Sequence, residues 1–288
     1  MIDIKLLAEV LINGFLLGGV YAVIAIGLNL IFGVSGIIQL AYGDMAMIGM
    51  YVIYWLIVLY HANLSVSALA SILVLIGISG VLQKAMFDRL LDAPELNQIL
   101  ATGGLVVLLE SLAQLLWGAD YRTVKVAFPV FRVSGISISL SKLVIFVVSV
   151  LCLGLLYIFL SRTYEGRAIR AVAQDKIGAA LIGINLRRTY LVAACVGGAL
   201  IGIAAACLVL IYSIYPQVGL TFTTLAFVIV VFGGLGNMLG ALVGSFIISE
   251  TMMLSAVFVG LELAEAITFA IFIVILIFRP HGILGRRM

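Results

Sequence analysis

Residues 10–32 read Val10-Leu11-Ile12-Asn13-Gly14-Phe15-Leu16-Leu17-Gly18-Gly19-Val20-Tyr21-Ala22-Val23-Ile24-Ala25-Ile26-Gly27-Leu28-Asn29-Leu30-Ile31-Phe32, a run of 23 positions without a charge. A helix that crosses a bilayer needs about 20 predominantly apolar residues. This run is long enough, and it is too long for a signal-peptide core, so it reads as a retained membrane helix. Working outward, further apolar runs follow along the whole chain. Helices are expected near 6–32, 37–59, 64–87, 97–117, 142–161, 188–212, 220–232, 239–258 and 261–278. The 220–232 run is short and ends at Phe232-Gly233-Gly234-Leu235-Gly236, which suits a broken or re-entrant element lining a cavity. The fold expected is an all-α polytopic membrane protein of eight or nine membrane helices, forming one domain over residues 1–288.

Composition agrees with that reading. Of 288 residues, 65% are hydrophobic and 10% charged, and the mean hydropathy is +1.32. Soluble domains carry about 25% charged residues, so lipid must be the solvent for most of this chain. A net charge of +3, scattered along the sequence, excludes a nucleic-acid-binding domain. Cys152, Cys195 and Cys207 all lie inside apolar runs and are read as small buried apolar residues. His61 and His281 are far apart, and no His, Cys and carboxylate cluster has metal-ligand spacing.

Lys and Arg fix the sidedness, because cytoplasmic loops carry the positive excess. Eleven of the sixteen lie near the third helix (Lys84, Arg89), in Arg162–Arg188, or at the C-terminal end (Arg279, Arg286, Arg287). That face is expected to be cytoplasmic, with the N-terminus outside and the C-terminus inside.

Two segments do not read as membrane helices. In 118–141, alternation runs through Thr123-Val124-Lys125-Val126 and again through Arg132–Ser139, with Pro129 between the runs. This predicts a small external β-hairpin, serving as a lid or as a docking surface for an extracytoplasmic partner. In 162–188, Ile169, Val172, Ala173, Ile177, Ala180, Leu181 and Ile184 recur at three- and four-residue spacing, while Arg167, Arg170, Gln174 and Asp175 fall mostly elsewhere. This predicts one short amphipathic helix on the cytoplasmic side. It would lie either on lipid headgroups or in a protein groove, which its small residues suit better.

These stretches carry a resemblance. Gly166-Arg167-Ala168-Ile169-Arg170-Ala171-Val172-Ala173-Gln174-Asp175, followed by Ala179-Ala180-Leu181-Ile182-Gly183-Ile184-Asn185, resembles the coupling loop of permease subunits of branched-chain (hydrophobic) amino acid ABC transporters. Gly19–Gly33 is similar to that family's first helix and leads into Gln39-Leu40-Ala41-Tyr42-Gly43-Asp44-Met45. Phe232–Ala241 is similar to its glycine-rich break, and Arg279–Arg286 to its tail. The family usually has Asn, His and Glu where this chain has Gln39, Tyr42 and Asp44.

The resemblance implies a pore shared with a second, related permease in a bacterial inner membrane, with membrane lipid around it. It also implies two cytoplasmic ATPase subunits, which hold ATP and Mg, and an external binding protein that delivers the amino acid. This chain contains no Gly-x4-Gly-Lys-Ser/Thr loop, so it is expected to have no cofactor and no enzymatic activity of its own. Arg167, Arg170, Gln174, Asp175, Ala179, Ala180 and Gly183 would then couple it to the ATPase. Leucine, isoleucine and valine are the expected cargo; urea and short amides are the alternative.

A carboxylate at the middle of a membrane helix costs about 2.5–3.5 kcal/mol on insertion scales. Asp44 is expected either to start a helix, where the macrodipole favours it, or to line the gate. Glu110, with Gln114 one turn on, and Glu250, beside Ser249, are expected to hydrogen-bond between helices. Asn29, Gln39, Tyr42 and Asn237 are candidates for the pathway or for polar glue between helices. Gly33, Gly36, Gly233, Gly234 and Gly236 mark two helix breaks of similar pattern. A stand-alone secondary transporter would use Asp44, Glu110 and Glu250 as an ion relay, and a membrane enzyme finds no nucleophile and base pair.

Overall fold

A computed structural model describes residues 4–124, 130–133, 136–279 and 282–283. Its elements are helices α1 (Ile4–Ser35), α2 (Tyr42–Tyr60) and α3 (Leu64–Leu82), a π-helical turn (Gln83–Phe87), α4 (Asp88–Leu90) and α5 (Glu95–Trp117). After two short strands, β1 (Val130–Val133) and β2 (Ile136–Ser139), come α6 (Leu140–Arg162), α7 (Tyr164–Gln174), α8 (Lys176–Leu181), α9 (Leu186–Leu208), α10 (Val218–Gly233), α11 (Met238–Val259) and α12 (Leu261–Phe278).

The apolar runs place the helices closely, but the expected number of membrane helices is corrected. Seven helical spans among the described residues are long and apolar enough to cross a membrane, not eight or nine. Val218–Gly233 and Leu263–Phe278 are apolar but shorter. At about 1.5 Å per residue, 16 residues reach about 24 Å, less than a hydrocarbon core of about 30 Å. Hydropathy found the runs; the extra spans were lost to length.

The expected hairpin is also corrected. Among the described residues, the run Arg132–Ser139 has no pairing with Thr123 or Val124. Val130–Val133 pairs instead with Ile136–Ser139, β1 with β2 antiparallel, in the register Val130 with Ser139 and Val133 with Ile136. Arg122 forms an isolated antiparallel bridge with Ile214, the segment after α9, through N–H to carbonyl bonds of 2.9 and 2.7 Å. Lys125 and Val126 lie outside the described residues. Alternation marked extended backbone but could not say which run was its partner.

Helix α1 is the axis of the bundle. Most of its length is buried, whereas the spans Leu64–Leu90 and Glu95–Trp117 are mostly uncovered, and it packs on α11, α9, α6 and α10. Close approach between these helices relies on small residues. Gly14 and Gly18 of α1 lie against Glu250 and Phe246 of α11, and Gly198 of α9 against Ser79 and Leu75 of α3. A Cβ at Gly18 would fall on the Phe246 ring. The outer helices keep apolar side chains uncovered, among them Leu73, Leu115, Leu151 and Leu155, as lipid-facing surfaces do.

Candidate functional site

The charged segment folds as two helices rather than the one expected. Thr163 caps α7, its hydroxyl accepting from the Gly166 N–H at 3.0 Å, a normal N-cap arrangement. Ala168, Ile169 and Val172 turn inward and are buried, while Arg167, Arg170, Ala173 and Gln174 are exposed. Glu165 pairs with Arg188 at the start of α9. At Asp175 the backbone becomes extended (φ −152°) and the chain turns. The Asp175 carboxylate accepts from the Ile177 and Gly178 N–H groups, both at 3.0 Å, and so starts α8. Gly183 closes α8 at φ 89°, a left-handed conformation that side chains other than glycine adopt at a cost.

This turn reverses what the apolar residues do. Ile177, Leu181 and Ile182 are 74, 83 and 77% exposed; Asp175, Ala180 and Gly183 are exposed too, and among the expected coupling residues of α8 Ala179 alone faces inward. The 3.6-residue period ran through the turn unbroken in sequence, which concealed it. The base of α8 is fixed to the bundle, for the Lys176 ammonium donates to the Ser35 carbonyl at 2.9 Å, at the C-terminal end of α1. A cation at that end also meets the negative pole of the helix. Sequence reasoning missed Lys176 and Ile182; the contact spans 141 positions, so no local pattern announces it.

The two helix breaks meet at this same end. Gly36 ends α1 at φ 78°, and Gly234 and Gly236 follow α10 at φ 107° and 79°. A Cβ at Gly33 would stand 3.6 Å from the Gly236 Cα, while Gly233 and Gly240 touch backbone to backbone. Asn29 accepts from the Gly236 N–H at 2.7 Å. Asn237 caps α11, its side-chain oxygen accepting from the Gly240 N–H at 3.1 Å. The Ile283 N–H donates to the Phe232 carbonyl at 2.8 Å, bringing the C-terminal segment to the same break.

Tyr42 and Gln39 are buried as well. The Tyr42 hydroxyl donates to the Gly197 carbonyl at 2.9 Å, over the space left by Gly27, and the Gln39 amide donates to the Met45 sulfur at 3.3 Å. Each of these side chains thus joins segments together. Asp44 differs. It is fully buried in the first turn of α2, packed against Gly219 of α10, and neither carboxylate oxygen has a hydrogen-bond partner among the described residues. The neighbouring Gly43 N–H donates to Thr223 at 2.9 Å. Of the expected partners of the deeper acids, Ser249 turns away from Glu250. Ser249 donates to the Gly14 carbonyl at 2.7 Å, and one Glu250 oxygen is buried with no hydrogen-bond partner among the described residues; Gln114 is exposed.

At the opposite end of the bundle lies an arrangement that no local pattern announced. The Tyr21 and Tyr212 hydroxyls are bonded at 2.5 Å across 191 positions. The Arg122 guanidinium lies 4.9 Å from the Trp55 ring centroid and donates to the Trp117 carbonyl at 2.7 Å. Among the described residues, no group of three or more His, Cys, Asp or Glu could hold a metal ion.

A family described as the permease component of the branched-chain amino acid transport system matches residues 10–276. The chain belongs to this family. It is 30% identical to a protein of Pseudomonas aeruginosa described as the high-affinity branched-chain amino acid transport system permease protein BraD, over 96% of this chain and 95% of that one. It is 30% identical to the Escherichia coli permease LivH over 95% and 94%. A probable branched-chain amino acid permease of Methanocaldococcus jannaschii is 28% identical over 91% and 87%. No solved structure matches. The chain is a membrane permease subunit of the ABC importer type, without a nucleotide-binding loop of its own.

Proposed function

We propose that this permease passes leucine, isoleucine or valine into the cell in a complex driven by ATP. Its partners are a second related permease, two ATPase subunits that hold ATP and Mg, and an external binding protein. The observation that carries the reading is the exposed apolar face of α8, with Ile177, Leu181 and Ile182 standing clear of the bundle. Three adjacent large apolar side chains in water are unfavourable by about 1.5–3 kcal/mol each relative to burial, and a groove on an ATPase would cover them. The face stands on the segment richest in arginine and lysine, which supports a cytoplasmic position for it and for the C-terminus, with the N-terminus outside.

In this reading α8 moves with the ATPase pair, and Lys176 carries the motion to the end of α1. There Asn29 holds the Gly236 N–H, so the displacement reaches both helix breaks together. ATP binding shifts the gate only to the extent that it favours one arrangement of these elements. Arg167, Arg170, Gln174 and Asp175 frame the docking face, while Asn29, Gln39, Tyr42, Asp44 and Asn237 hold or line the gate region. Asp44, a fully buried acid with no hydrogen-bond partner for either oxygen among the described residues, is the one of these best placed to meet a cargo ammonium during passage.

The test is purification from mild detergent through a C-terminal tag. Stoichiometric recovery of a second permease and ATP-binding subunits is expected, followed by ATP-dependent leucine uptake in proteoliposomes. Recovery of this chain alone, transporting without ATP, would contradict the reading.

A further inference from the structure

A cavity of about 280 Å³ lies between α1, α6, α11 and the segment after α9, at the end of the bundle away from α8. Small-molecule sites usually measure about 300–1,000 Å³, so this space suits a ligand of few atoms. Leu17, Ile211 and Met253 give it apolar walls. Its polar lining, Tyr21, Lys142, Tyr212 and Ser249, supplies donors, while the acids that act on it from outside the lining are Glu9, on Lys142, and Glu265, on the two tyrosines. The Lys142 ammonium has three N–H donors and no acceptor, and no hydrogen bond or ion pair joins it to another described residue; Glu9 is the acid whose charge it feels. Tyr21 and Tyr212 bring two hydroxyl hydrogens and spend one on their mutual bond, which leaves one to donate. Ser249 is committed to the Gly14 carbonyl.

A half-buried cation beside a free hydroxyl donor, within aliphatic walls, attracts an anionic group that carries an apolar tail and repels an ammonium. We propose that this cavity is an outer subsite for the carboxylate of an aliphatic amino acid, with Lys142 and the Tyr21–Tyr212 pair as its donors. The assignment rests on the importer reading above. A second ligand source shares the chemistry, namely a fatty acid or an anionic lipid headgroup from the surrounding bilayer, and the experiment separates the two.

The complete transporter, with its ATPases and binding protein, would be reconstituted in vesicles of phosphatidylcholine alone and of phosphatidylcholine with phosphatidylglycerol. Uptake of radiolabelled L-leucine is then followed for the parent protein, Lys142→Met, Lys142→Arg and Tyr21→Phe. A charge-assisted hydrogen bond is lost in Lys142→Met, so uptake falls about tenfold or more in both vesicle types. Lys142→Arg keeps most of the rate, and Tyr21→Phe, which preserves the ring packing, loses several-fold. Copurification of all subunits shows that each variant still assembles. Equal uptake by Lys142→Met and the parent overturns the subsite. So does a loss confined to phosphatidylglycerol vesicles, with lipid copurifying on the parent but not on Lys142→Met, because the site then belongs to lipid. Absence of ATP-driven uptake by the parent protein for leucine, isoleucine and valine alike overturns the importer reading itself, a result distinct from either.

Discussion

Helices α7 and α8 are neighbours in sequence and opposites in packing. In α7, Ile169 and Val172 are each 1% exposed and sit under the bundle; one turn of chain later, Ile177 and Leu181 of α8 are 74 and 83% exposed. Both pairs satisfy the same helical spacing. The difference teaches that an amphipathic period specifies a stripe but not what covers it, and that the corner at Asp175 is what redirects the stripe. α7 anchors the segment to its own chain, and α8 leaves its apolar side chains uncovered; in the function proposed above another chain covers them.

The comparison breaks most sharply if charges are placed in each half. Ile169→Glu buries a charge and costs the permease itself, by about 3 kcal/mol or more, so the expected outcome is a large loss of recoverable protein from the membrane. Leu181→Glu leaves the permease intact and membrane-inserted but loses the ATPase partners, read as at least about a hundredfold drop in copurified ATPase. If the two variants behave alike, the division between the helices is wrong.

Gly183→Val comes next. The position sits at φ 89° with open space around its Cβ, so the penalty is backbone strain of about 1–2 kcal/mol rather than collision. Leucine uptake is expected to fall about tenfold with unchanged membrane insertion. Lys176→Met removes the bond to the Ser35 carbonyl and leaves α8 docked but loosely tied. ATPase copurification is then retained while uptake per ATP hydrolysed falls several-fold, which sharpens the distinction between docking and transmission. The smallest effect belongs to Arg188→Gln. Its ion pair with Glu165 is partly exposed and is worth under about 1 kcal/mol, so thermal stability and uptake should stay close to the parent values.

Much of this was legible in the sequence, for a definite reason. A bilayer requires long uncharged helices, and that demand is written in consecutive residues: the 10–32 run became the buried axis α1, and the short run ending at Gly233 became the short α10. The glycine breaks were legible because Gly36, Gly234 and Gly236 need positive φ. The two-helix form of the charged segment was not read, although Asp175 before Lys176-Ile177-Gly178 is a helix-start signal that a closer look at capping would catch. The pairs Tyr21–Tyr212 and Lys176–Ser35 had no local signal, since each joins residues more than a hundred positions apart. Nor could the sequence assign Ser249, which turned to the Gly14 carbonyl rather than to the adjacent Glu250.

The most direct test of the central claim is site-specific cross-linking in the assembled transporter, with a single cysteine placed at Leu181 or at Ile169 in a background lacking Cys152, Cys195 and Cys207. The cysteine at 181 is expected to join the ATPase subunit in high yield, in a manner that changes when ATP binds, while the one at 169 does not react. Cross-linking from 169 but not 181, or no bond to an ATPase from either in a complex that still transports, would contradict it.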